Sequence, residues 1–127
     1  DLSQMNDCPK IERKTSGRGD ARSAFIGGPV DENKIITQMA NPITHLNSNT
    51  PPFLIFHGAK DTAVPVCQSE ILHKAMINKG LSSKLIIEEE GVHSGTNKKM
   101  FAQKNIDMMT EFIIDQYNKS KASVFSN

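Results

Sequence analysis

PPFLIFHGAKDTAVPV, residues 51–66, and KLIIEEEGVHSG, residues 84–95, each carry a short apolar run and then a loop with one chemically useful side chain. Phe53, Leu54, Ile55 and Phe56 are consecutive large apolar residues. A strand with one face in water alternates apolar and polar positions. An unbroken run suits a strand covered on both faces, as in a parallel sheet flanked by helices. Gly58 ends the run, and residues 59–62 turn the chain. Leu85, Ile86 and Ile87 form a second such strand. Residues 65–79 between them read as a helix, with Ile71, Leu72, Ala75 and Met76 on one stripe. Gly80 stands where a left-handed C-terminal cap is expected. Strand, helix, strand at this length is a parallel βαβ crossover. The fold class expected is therefore α/β.

In open α/β sheets, functional groups gather at the carboxyl ends of the strands. Asp61 falls just past the first strand and His93 just past the second. Neighbouring strands lie under ~5 Å apart, so the two loops can bring carboxylate and imidazole together. A carboxylate that accepts the Nδ1 proton fixes the ring tautomer and leaves Nε2 free to take a proton from a nucleophile. Either residue alone is weak evidence, because an Asp after Gly-Ala-Lys is an ordinary turn residue and a lone loop His is usually solvated. The weight lies in the pairing. His57 is closer to Asp61 in sequence but belongs to the strand end, where it is expected to support the loop. His45 and His73 have no partner pattern, and His73 is expected to be exposed on its helix.

Outward from this centre the signals weaken. Residues 1–23 are polar and read as loop, punctuated by Pro9, Gly17 and Gly19. Lys10, Arg13, Lys14, Arg18 and Arg22 are interrupted by acids and lack an aromatic residue for stacking, so a solvated loop is expected. Arg18-Gly19-Asp20 is treated as a chance tripeptide. Gly27-Gly28-Pro29 signals a turn. Asp31 is expected to cap a short helix to about Ala40, with Ile35, Ile36 and Met39 on one face. Asn41-Pro42 stops it, and residues 43–50 read as loop. A last helix is expected from a cap at Thr96 or Asn97 to about Tyr117. Its buried face would be Met100, Phe101, Met108, Met109, Phe112 and Ile113, the methionines serving as core filler. Residues 119–127 are expected to fray.

The totals exclude more than they assign. The chain has 127 residues, is 37% hydrophobic and 23% charged, and carries a net charge of +1. That balance supplies no electrostatic reason for nucleic acid or an anionic membrane as partner. No apolar run approaches the ~20 residues needed to cross a bilayer. The chain begins with Asp1, and no signal peptide is visible in it. Cys8 and Cys67 permit a disulfide without requiring one, and their spacing matches no metal motif. The sequon at Asn118 is a common chance match.

These residues resemble the C-terminal part of the α/β-hydrolase superfamily, and within it small acetyl-esterase and lipase-like enzymes, including bacterial feruloyl and acetyl-xylan esterases. The matching pieces are Gly27-Gly28-Pro29, ANPITHL at 40–46, residues 51–66, Gln68-Ser69-Glu70 and GVHSG at 91–95. Together they cover most of residues 23–117. In that family the Asp of the HGxxDxxVP segment is the triad acid, which falls on Asp61. The His of the late glycine-rich loop is the triad base, which falls on His93. The segment does not separate esterases from prolyl-oligopeptidase-type peptidases. Val92 and Ser94 depart mildly from the family pattern around the His. The larger departure is that no G-x-S-x-G elbow and no HGG-type oxyanion segment occurs in these 127 residues.

The resemblance implies one domain over residues 1–127, with loop at 1–22, core at 23–118 and a tail at 119–127. It would be the C-terminal portion of an α/β-hydrolase fold whose sheet is incomplete here. Two central-type strands do not make a stable sheet, so a preceding segment or another chain is expected to complete it. The activity implied is serine-type carboxylic ester hydrolysis of small acyl or polysaccharide-linked esters. No metal or organic cofactor is implied, and a secreted or periplasmic location is favoured over the cytoplasm. Without the serine and its oxyanion hole, the isolated chain is expected to be inactive. The alternatives are a serine peptidase or amidase on the same fold, and a non-catalytic binding module derived from it.

Overall fold

The computed structural model describes Cys8, residues 21–93 and residues 100–124. Its elements run α1 (Ala21–Ile26), α2 (Lys34–Met39), a 3-10 turn (Pro42–His45), β1 (Phe53–Gly58), α3 (Cys67–Asn78), β2 (Ser83–Glu88) and α4 (Gln103–Val124). The two strands pair in parallel, from Phe53 opposite Ser83 to Gly58 opposite Glu88. Both carboxyl ends therefore finish level at one edge of the sheet. This is the expected α/β arrangement, a partial α/β-hydrolase fold.

The crossover helix closes as its sequence dictates. Gly80 takes φ +70°, and its N–H reaches the Ile77 carbonyl while that of Leu81 reaches Met76, each at 2.9 Å. This pair of bonds satisfies two carbonyls that the helix end would otherwise strand. Met76 is fully buried, the centre of the α3 stripe. Burial elsewhere is thinner. The Phe53 to Phe56 run is half-buried, as are Leu85 and Ile86. Among the described residues the buried apolar side chains are Cys8, Ile26, Leu46 and Met76.

Several expectations are corrected. Residues 21–26 form a helix, so the expected loop ends before residue 23. Asp31 does not cap α2. The Pro29 carbonyl accepts both the backbone and side-chain N–H of Asn33, drawing residues 29–33 into a turn, so α2 begins after Asn33. Its buried residue is Thr37, and Ile35, Ile36 and Met39 face outward. The 3-10 turn takes Pro42 to His45 out of the expected loop, its first turn held by the Asn41 side chain accepting the Ile43 N–H at 3.1 Å. His73 is half-buried and its Nδ1 lies 2.9 Å from Ser83 Oγ. The final helix begins at Gln103 and continues through Val124, beyond the expected fraying point. Lys119 pairs with Asp115 one turn back and Lys121 lies over the Tyr117 ring, and no Gly or Pro follows Tyr117 to stop the helix. Phe101 and Ile113 are exposed, while Asn105 takes the inward position. The suggested caps Thr96 and Asn97, the basic cluster at 10–18, the Arg18-Gly19-Asp20 tripeptide and Ser94 lie outside the described residues. Among the described residues no helix is long and apolar enough to cross a membrane.

Candidate active site

The loops after β1 and β2 are stitched together before they diverge. The Ala59 N–H donates to the Glu88 carbonyl at 2.9 Å and the Lys60 N–H to the Gly91 carbonyl at 2.8 Å. Gly58 and Gly91 pass so close that a side chain at either would strike the other's backbone. That close approach needs glycine at both positions. Its effect is to set the Asp61 loop directly beside the loop carrying His93.

Asp61 is 8% exposed and both its oxygens are occupied. Oδ1 accepts the N–H groups of Ala63 and Val64, each at 2.8 Å, in a turn of the kind short acids form with the backbone just ahead of them. Oδ2 lies 2.9 Å from His93 Nδ1 and 3.3 Å from His57 Nε2. Burial pushes the Asp61 carboxyl upward, but the Val64 N–H, the His93 bond, the Ala63 N–H and the His93 charge together hold it below the ordinary carboxylate range. It is thus ionised at neutral pH and can only accept. His93 Nδ1 must then carry its proton toward Asp61, and in the neutral ring Nε2 keeps its lone pair. The His93 side chain is 54% exposed, against 7% for that of Asp61. A buried anchor and an accessible imidazole with a fixed tautomer make an arrangement chemically capable of general-base work.

The structure brings Asp61 and His93 into direct contact and leaves His45 and His73 elsewhere. His45 bonds the Met39 carbonyl. Sequence reasoning missed two supports. Glu88, at the end of β2, bonds Asn105 Nδ2 and pairs with Lys104, tying the start of α4 to the sheet edge. Asn105 also reaches the Met100 carbonyl at 3.1 Å. An Asn inside an apolar helical stripe was the available signal. A further support, left open by the sequence, is the bond between Cys8 and Cys67, whose Cα atoms are 5.9 Å apart. It fastens Cys8 to the first residue of α3, and Gln68 Nε2 donates to Cys8 Sγ at 3.3 Å. A cleft of about 490 Å³ lies along the same loop, walled by Lys60, Asp61, Pro65, Cys67 and Glu70 among others. His93 is not among its walls, so it is a recess of the acid loop rather than a chamber shared by acid and imidazole.

Comparison with known proteins adds a family to this geometry. The BD-FAE family profile matches residues 1–76, more than half of the chain. The chain belongs to the BD-FAE family. Esterase LipQ of Mycobacterium tuberculosis is 32% identical over 72 residues, which is 57% of this chain and 16% of that protein. The structure described as bifunctional GH43-CE from Bacteroides eggerthii superposes with a TM-score of 0.75 at 29% identity, covering 91% of this chain and 14% of that one. A truncated carbohydrate esterase from gut microbiota gives a TM-score of 0.55 at 28% identity, covering 64% of this chain and 27% of that one. This BD-FAE chain is thus similar to esterase-type hydrolases and spans about a sixth of the curated relative's length.

Proposed function

We propose that this chain supplies the acid and the base of a serine-type carboxylic ester hydrolase. Asp61 is the orienting acid and His93 the general base, then general acid. The observation that carries the reading is the 2.9 Å contact between His93 Nδ1 and a buried carboxylate whose other oxygen is already held by two backbone N–H groups. The nucleophilic serine and the oxyanion donors come from polypeptide outside these 127 residues. In the acylation step His93 Nε2 takes the serine proton as the serine oxygen attacks the ester carbonyl. The Asp61 carboxylate stabilises the imidazolium so formed. The imidazolium then protonates the departing alkoxide, and the same sequence with water releases the acid. Substrates are small acyl esters, with esters borne on carbohydrate favoured by the similarity to a carbohydrate esterase. The Cys8–Cys67 bond supports an oxidising compartment outside the cytosol.

The test is hydrolysis of p-nitrophenyl acetate by the complete polypeptide that carries the G-x-S-x-G elbow. Asp61→Asn is expected to lower kcat by roughly 10⁴-fold and His93→Ala by roughly 10⁶-fold, the orders seen when the acid or the base of a triad is disabled. Turnover within threefold of the native protein in either variant overturns the assignment. The 127-residue chain alone is expected to show no hydrolysis that depends on His93.

A further inference from the structure

His57 is a buried imidazole that the proposed reaction does not use, and it touches three different parts of the site's support. It is 8% exposed at the end of β1. Its Nε2 lies 3.0 Å from the Val64 carbonyl and 3.3 Å from Asp61 Oδ2. Its Nδ1 lies 2.6 Å from Ser69 Oγ, in the first turn of α3. A carbonyl oxygen only accepts, and so does an ionised carboxylate, so Nε2 carries a proton shared between them. The neutral ring then accepts the Ser69 hydroxyl proton at Nδ1. Each atom of the ring that can hydrogen-bond is thereby committed within the protein.

The consequence lies in which groups are joined. The Val64 N–H holds Asp61 Oδ1, while the Val64 carbonyl is held by His57. The same imidazole N–H also approaches Oδ2, the oxygen that faces His93. His57 therefore fixes both the far side of the acid loop and the rotation of the carboxylate, and it ties them to α3 through Ser69. We infer that His57, as the Nε2-protonated neutral tautomer, is a positioning residue that sets the Asp61 carboxylate for His93. This rests on the acid–base reading of Asp61 and His93 given above. His57 acts through Asp61 and does not meet the substrate.

The experiment compares His57→Phe, His57→Gln, Ser69→Ala and Asp61→Asn in the complete esterase polypeptide, with kcat and KM measured separately and thermal unfolding as the folding control. His57→Phe is expected to lower kcat by about 10- to 100-fold, the scale of a misplaced catalytic group, with KM within twofold. His57→Gln keeps an N–H donor for the Val64 carbonyl and is expected to recover most of that loss. Long-range ¹⁵N spectra of the histidine-labelled native protein at pH 8 are expected to show His57 protonated at Nε2. Native kcat in His57→Phe alongside an inactive Asp61→Asn overturns the positioning role and leaves the acid–base reading standing. An active Asp61→Asn overturns both. Equal losses in the Phe and Gln variants, or an Nδ1-protonated His57, overturn the assignment of the donated bond. If His57→Phe does not fold, Ser69→Ala and the tautomer spectrum still decide. Ser69→Ala is expected to lower kcat several-fold, and an unchanged kcat there together with an Nδ1-protonated ring overturns the proposal.

Discussion

The carboxyl-end corner of the sheet and the apolar faces of the helices are finished to different degrees within this chain. At the corner, Asp61, His57, Gly58, Pro65 and Gly91 are buried, and the hydrogen bonds of the acid loop close on one another. On the helices, Phe25 and Ile35 are each 75% exposed and Met39 is 69% exposed. Ile113 and Tyr117 of α4 are also exposed. A folded chain spends its large apolar side chains inside where it can. The contrast shows that Asp61 and His93 are positioned by short-range polar geometry, whereas the helix faces have no covering surface among the described residues. We propose that the polypeptide carrying the nucleophile provides that cover and extends the sheet. On that view the corner can be arranged before the fold around it is complete.

The disulfide offers the strongest way to break this contrast. It joins residues 59 apart in sequence next to the acid loop. Closing a loop of that size lowers the entropy of the unfolded chain by an amount worth about 4 kcal/mol. Urea unfolding with and without a thiol reductant is expected to show a loss approaching that figure in the reduced chain. A loss below about 1 kcal/mol would mean that the corner is held without its covalent tie, and that the polar bonds alone carry it.

The pH dependence of stability sharpens the same point on a smaller scale. The folded Asp61 carboxyl is held below its ordinary value of 3.8. Its contribution is present in full above the unfolded value and is lost as pH falls through the lower folded value. The native chain is thus expected to exceed Asp61→Asn in stability at pH 7, with the gap closing as pH falls below about 4. Denaturant titrations of both proteins at pH 7, 4 and 3 measure this. A gap that does not narrow on acidification would mean that the His57, His93 and backbone bonds to Asp61 contribute nothing that depends on its charge.

How legible each region is in the sequence follows from the range of the forces that build it. β1, α3, β2 and the Gly80 cap rest on contiguous apolar runs, helical spacing and one glycine, all local signals. The approach of the Asp61 and His93 loops follows from parallel pairing, because level strand ends put the two loops side by side. The outward turn of Ile35 and Met39 was not legible, since apolar spacing shows that a helix has a face without showing what covers it. An Asn within the apolar stripe of α4 marks Asn105 as unusual, but what it holds is legible only from its partner, and Glu88 lies 17 residues away; Thr37 on α2 carries no such mark. The Cys8–Cys67 bond was open for a similar reason: two cysteines allow a bridge, and only the fold brings their Cα atoms within reach. The sequence puts His57 at the strand end, where a supporting role is the natural expectation. Its threefold bonding to Val64, Asp61 and Ser69 needed coordinates, because those three residues carry no common motif.

The smallest expected effect is the most discriminating for the exposed faces. Ile35 is 75% exposed on α2, so Ile35→Ser removes little buried area from the 127-residue chain. Substitutions at such positions ordinarily change stability by no more than about 0.5 kcal/mol. In the complete polypeptide the proposal that this face is covered leads to a different figure, a cost of about 1.5–3 kcal/mol for removing a buried aliphatic side chain. Denaturant unfolding of the variant in both contexts reads the two values directly. Equal, negligible costs would mean that the α2 face stays in water in the assembled protein and that completion of the sheet leaves this side open. A large cost already present in the short chain, together with a concentration-dependent midpoint, would mean that copies of the chain cover one another through this face. Only a cost confined to the complete polypeptide keeps the distinction between a self-sufficient corner and helix faces that need a partner.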